Sequence, residues 1–135
     1  MGLAERRGAE RFKNDDYPDW KARIDQAAGF EVSVEVAWAE LAVADYADSY
    51  AEFFPKVYFQ PLVEALSAVT MDDLGNNALR EGLAKIIIKN SGGFYSTSGI
   101  SFTNGVLTFD HQPHVNVDYG EERAKGLQQT LESGL

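Results

Sequence analysis

The chain contains no cysteine, which excludes a disulfide framework, a thiolate metal site and a cysteine nucleophile. No apolar run approaches the roughly 20 residues that a bilayer-spanning helix needs. The opening stretch, MGLAERRGAERFKNDD, is charged on both sides of its few apolar side chains and so lacks the apolar centre of a signal peptide. A phosphate-cradling glycine loop, a zinc spacing, a calcium loop and a nucleophile elbow are all missing. Positive charge is scarce in one region above all. Residues 30–79 hold nine acids against Lys56 alone, which is −8 of the net −9, whereas residues 1–29 balance six acids with six bases. Such a field repels phosphate backbones and anionic lipid, so neither nucleic acid nor a membrane is expected as a partner. A cytoplasmic, soluble protein with no cofactor and no metal is the expectation from these absences.

What is present suits one globular domain. The 135 residues are 44% hydrophobic and 24% charged, and a chain of this size can bury roughly two thirds of its unfolded surface. A single domain over 1–135 is expected, with residues 1–15 forming a weak helix or a loosely ordered arm. Pro18 behind Asp16 and ahead of Asp19 marks a helix start, and Trp20, Ile24, Ala27 and Ala28 recur at helical spacing before Gly29 stops it. Phe30, Val32, Val34, Val36 and Trp38 alternate with polar or small residues and predict a strand over 30–38. Tyr46, Tyr50, Phe53 and Phe54 share a helix face, which Pro55 should end or kink. Gln60-Pro61 opens another helix, and Thr70-Met71-Asp72-Asp73 caps a third that carries Leu74, Leu79 and Leu83. Lys85–Lys89 can extend that helix or form a strand, and its three consecutive isoleucines favour the strand.

The strongest local signal is Asn104-Gly105 between Ile100–Thr103 and Val106–Asp110, the dipeptide of a type I′ hairpin turn. Asp118 to Glu121 resembles a helix cap and leads into a last helix through Ala124, Leu127 and Leu131. The fold class expected is α+β, with a small, mainly antiparallel sheet (strands near 30–38, 85–89, 100–103 and 106–110) covered by several helices on one face.

Chemistry-bearing residues are few. Both histidines lie in "LTFDHQPHVN", with Asp110 beside them. Strand parity puts His111 with Leu107 and Phe109 on the apolar side, while Asp110 faces the other way. His111 and His114 would stand about 10 Å apart on opposite faces, too far to share a ligand, unless the chain turns at Gln112-Pro113. Asp110, His111 and His114 are therefore the candidate catalytic group, and even after a turn they would make only a minimal metal set. Glu31 and Glu35 share a strand face but sit about 13 Å apart, beyond the reach of a shared proton. The loop around Ser91, Gly92-Gly93, Ser96, Thr97, Ser98 and Gly99 offers amides and hydroxyls to an anion, yet contains no base. The dense aromatics of residues 46–59 read as core, with some members available for a pocket or an interface.

The reading these features favour is a non-catalytic protein-binding module. Glu31, Glu35, Asp45, Asp48, Tyr46 and Tyr50 are its candidate contacts, and another protein or a second copy in a homodimer is its partner. The alternative is a small enzyme or ligand-binding protein with its polar site at Asp110, His111 and His114.

Overall fold

The computed structural model describes residues 2–135. Helix α1 (Leu3–Arg11) runs into α2 (Tyr17–Ala28) through a wide turn at Phe12–Asp16, where the Tyr17 amide bonds to the carbonyl of Phe12 five residues back. Pro18 explains the widening. It has no N–H, and its ring would strike the carbonyl of Asn14 in a regular helix. Gly29 ends α2 with φ at 85°, a left-handed cap that suits glycine.

After β1 (Val34–Val36) come the single turn α3 (Trp38–Leu41) and the short helix α4 (Tyr50–Phe54). The strand expected over 30–38 thus keeps only its centre, because Trp38 already begins a helix. Pro55 kinks the next stretch without ending it. A second wide turn at Pro55–Phe59 carries α4 into α5 (Gln60–Val69), and the Gln60 amide bonds back to the Pro55 carbonyl. Pro61 plays here the part that Pro18 plays between α1 and α2. Then follow α6 (Asp73–Gly82), β2 (Lys85–Lys89), β3 (Ile100–Thr103), β4 (Val106–Asp110) and α7 (Gly120–Gly134).

The four strands lie in the order β1-β2-β4-β3, with β1 parallel to β2, β2 parallel to β4, and only the β3–β4 hairpin antiparallel. The expectation of a mainly antiparallel sheet is therefore corrected to a mixed one. The hairpin is as expected, with φ of 54° at Asn104 and 79° at Gly105. However, its second strand, not its first, docks beside β2, and that swap makes the central pairings parallel. Ile86, Ile88, Leu107 and Phe109 are buried on the inner face, whereas Glu35, Ile87, Thr108 and Ser101 align across the outer face.

Over the inner face, α5 packs between α2 and α7. Tyr50, Phe54, Tyr58 and Phe59 are buried, and Phe12 stacks on Phe59 at 5.7 Å and meets Phe54 edge-on at 5.2 Å. The dense aromatics are thus mostly core, each contributing about 2 kcal/mol by burial. One detail of α6 differs from expectation. Its cap is Asp72, whose carboxylate accepts the Gly75 amide at 2.7 Å, while the Thr70 hydroxyl donates to the Ala27 carbonyl. Leu79 is buried, but Leu74 is 81% exposed. Five residues separate the two, which turns them roughly 140° apart on a helix.

Candidate functional site

The three parallel strands end on one side of the sheet, at Val36, Lys89 and Asp110. Ligands in open parallel sheets bind beyond such carboxyl ends. Asp110 is 6% exposed, and its carboxylate accepts the Ser91 amide at 3.0 Å, the Ser91 hydroxyl at 3.1 Å and the Gly92 amide at 3.2 Å. The Ser/Gly loop does hold an anion, and the anion is the protein's own carboxylate. Asn90 is tied to Glu40 by its backbone amide and its side chain, both at 3.1 Å. The loop is also sewn to the segment after β4. Gln112 reaches the Phe94 carbonyl with its backbone amide (2.9 Å) and the Gly93 carbonyl with its side chain (2.7 Å), and Asn116 reaches Tyr95 at 2.6 Å.

Under this seam lies His111, fully buried. Nδ1 stands 2.6 Å from the Gln112 carbonyl, so it carries the proton, and Nε2 is buried without a hydrogen-bond partner. The Tyr58 hydroxyl donates to the His111 carbonyl. Burial holds the imidazole below its ordinary pKa, against the opposing pull of the Gln112 carbonyl. Arg123 adds to the lowering, while the nearby Tyr95 carbonyl opposes it without reaching hydrogen-bond geometry. His114 turns elsewhere. Its ring lies against Tyr46 at 4.8 Å between centroids, and its Nδ1 is buried and unpartnered. The chain does turn after Gln112, yet Asp110, His111 and His114 each take separate hydrogen-bond or stacking partners. Among the described residues no cluster of three or more His, Asp or Glu can hold a metal ion.

Arg123 completes the cluster and was not anticipated. It is 2% exposed, and among the described residues no carboxylate lies within ion-pair distance of it. Its guanidinium donates instead to backbone carbonyls: Val57 at 3.1 Å, Asn116 at 2.7 Å and Val117 at 3.0 Å. Val57 lies four residues before Pro61, which cannot donate to it, so Arg123 supplies the hydrogen bond that the proline withholds. Desolvation lowers its pKa from the ordinary arginine value.

The other candidates are dispersed. Glu35 pairs with Lys85 at 2.7 Å on the outer sheet face, and Glu31, Asp45 and Asp48 are exposed. Tyr50 is buried, with its hydroxyl on the Val43 carbonyl at 2.6 Å, whereas Tyr46 is 36% exposed.

An apolar opening lies beside α6. Met71 and Leu74, each 81% exposed, flank a cavity of about 380 Å³ that also takes in Ala78, Leu135, Asp72 and Glu132. A neighbouring cavity of about 420 Å³ shares Ala78 and Leu135 and continues to Glu81 and the hairpin turn at Asn104-Gly105. Asp110, His111 and His114 line neither. No protein-family model, no curated protein and no solved structure matches this chain. The function therefore has to be argued from these two regions. A signal for the groove was present in the sequence, since the five-residue step from Leu74 to Leu79 breaks the helical stripe.

Proposed function

We propose that the chain is a protein-binding module without catalytic activity, and that it binds through the groove beside α6. The observation that carries this reading is the pair Met71 and Leu74. Two large apolar side chains, each 81% exposed, flank an apolar cavity. An exposed Met and Leu gain nothing for folding, whereas on binding each can release apolar surface from water worth about 2 kcal/mol. A methionine also adapts its shape to a partner.

The strand-end cluster supports the same reading from the other side. Asp110 is saturated by the Ser91 and Gly92 donors, and His111 is sealed beneath two stitched loops. The second reading, a ligand-binding or catalytic site at Asp110, His111 and His114, has one observation in its favour: both imidazoles keep a buried ring nitrogen without a partner.

One experiment separates the two. Partner capture is compared for wild type, for Met71→Ser/Leu74→Ser, and for His111→Gln/His114→Gln. A binding module through the groove keeps its partners in the histidine variant and loses them in the groove variant. The opposite pattern assigns the function to the strand ends.

A further inference from the structure

Resting on that reading, we infer that the partner of the groove is a cationic amphipathic helix of about three turns. Length, shape and charge carry the argument. The two cavities lie side by side, sharing Ala78 and Leu135, and together their linings make a trough-like surface along α6 that runs from Met71 to Gly82 and the hairpin turn. Twelve residues at a helical rise cover about 17 Å, so a helix of three turns spans the trough with apolar side chains at positions i, i+4 and i+7. Small residues form the floor. At Gly82 a Cβ would stand 2.6 Å from the Leu135 side chain, so even alanine there would displace Leu135, which lines both cavities.

The rim decides the sign of the partner. Asp72, Glu81 and Glu132 line the two cavities, and among the described residues no lysine or arginine lines either. The basic residue of α6 is engaged elsewhere: Arg80 donates to the Gly29 carbonyl at 2.8 Å and lies over the Phe30 ring. The rim also belongs to a chain of net charge −9. A second copy seated here would bring acids against acids, and an anionic or neutral helix would gain nothing from the rim. A helix with a leucine stripe flanked by lysines satisfies both floor and rim, and its charges speed encounter and fix orientation.

The test uses three labelled synthetic peptides and the full chain. One is a leucine–lysine amphipathic helix, the second has glutamate in place of each lysine, and the third scrambles the first. Fluorescence anisotropy measures affinity, and amide chemical shifts locate the site. The amphipathic cationic peptide is expected to bind at least about tenfold more tightly than the other two, with shifts confined to α6, the hairpin turn and the end of α7. Leu74→Ser should weaken it by about tenfold. Glu81→Lys/Glu132→Lys should weaken it several-fold and flatten its salt dependence.

Equal binding of the glutamate peptide or the scrambled peptide overturns the inference, as does binding that ignores both sets of substitutions. Concentration-dependent dimerisation in sedimentation that Leu74→Ser abolishes overturns it too, by giving the trough to a second copy. These failures are distinct from failure of the binding function. If captured partners still depend on Met71 and Leu74 while the cationic peptide does not bind, the module stands and only its partner class falls. If capture depends on the histidines instead, both fall.

Discussion

Two regions of this small protein differ in almost every respect that bears on function. The carboxyl ends of the parallel strands collect polar residue types that could do chemistry, and nearly all of them are bonded to the protein itself. The trough beside α6 is open and is apolar at its Met71–Leu74 end, where both side chains are 81% exposed. The difference teaches that polar residues at a strand end need not make a site. A buried donor or acceptor must be satisfied, and the demand is heavy here because Pro61 orphans a carbonyl and two long loops must be held down. Exposed apolar surface carries no such structural obligation, so its persistence points outward.

The comparison breaks most severely at Arg123. Arg123→Leu would leave the buried Val57 carbonyl without its donor, at about 1–3 kcal/mol, would free the less buried Asn116 and Val117 carbonyls at a smaller cost, and would remove the packing of a side chain only 2% exposed. A loss of at least about 3 kcal/mol in urea unfolding is expected. Arg123→Lys should recover only part of it, because an ammonium cannot reproduce the fork that spans those carbonyls. If Arg123→Leu unfolded like wild type, the strand-end cluster would not be the structural knot described.

Asp110 comes next. Asp110→Ala removes the acceptor for the Ser91 amide, the Ser91 hydroxyl and the Gly92 amide. A cost of about 2 kcal/mol is expected, with faster hydrogen exchange at Ser91 and Gly92 and little change at α6. Exchange that rose equally everywhere would mean that the loop is not a separate unit.

His111 sharpens the comparison through pH. Its folded pKa lies below the ordinary value of 6.5, chiefly through burial. The unfolded chain therefore takes up the proton first as pH falls. The stability that neutral His111 preserves is complete above about pH 6.5 and is lost progressively below it, by at most about 1.4 kcal/mol per pH unit. Comparing wild type with His111→Gln isolates this effect from the carboxylates. The difference in unfolding free energy should change between pH 7.5 and 5.5 in the direction of wild-type loss, and a pH-independent difference would refute the sealed neutral imidazole.

How far all this could be read from sequence depends on whether each signal was local. The Asn104-Gly105 hairpin and the three-isoleucine strand were legible, since each rests on neighbours in the chain; parity put His111 with Leu107 and Phe109 but gave no sign that Asp110, on the polar side, would be buried under donors from Ser91 and Gly92. The parallel pairing of β2 with β4 was not legible, because it depends on which hairpin strand docks beside β2, a choice between residues far apart in the chain. The role of Arg123 was hidden for the same reason: Pro61 shows that a carbonyl is orphaned, but not that a donor 62 positions later will meet it. Leu74 stood in plain view, sharing a type with Leu79 but not a face, since five residues turn the two roughly 140° apart on a helix.

The smallest effect on folding is the most informative about function. Met71→Ser and Leu74→Ser remove side chains that touch little of the core, and exposed substitutions usually alter stability by no more than about 0.5 kcal/mol. Urea midpoints and the exchange rates of α6 should therefore match wild type while affinity for a partner falls. That pairing matters because a core position cannot produce it: Leu79→Ser, one helical turn beyond Gly75 and fully buried, should lose about 2–4 kcal/mol along with binding. If the two exposed substitutions destabilise as Leu79→Ser does, Met71 and Leu74 belong to the fold and the open trough loses its claim. If they leave folding untouched and abolish binding, the apolar region has a use that the polar one lacks.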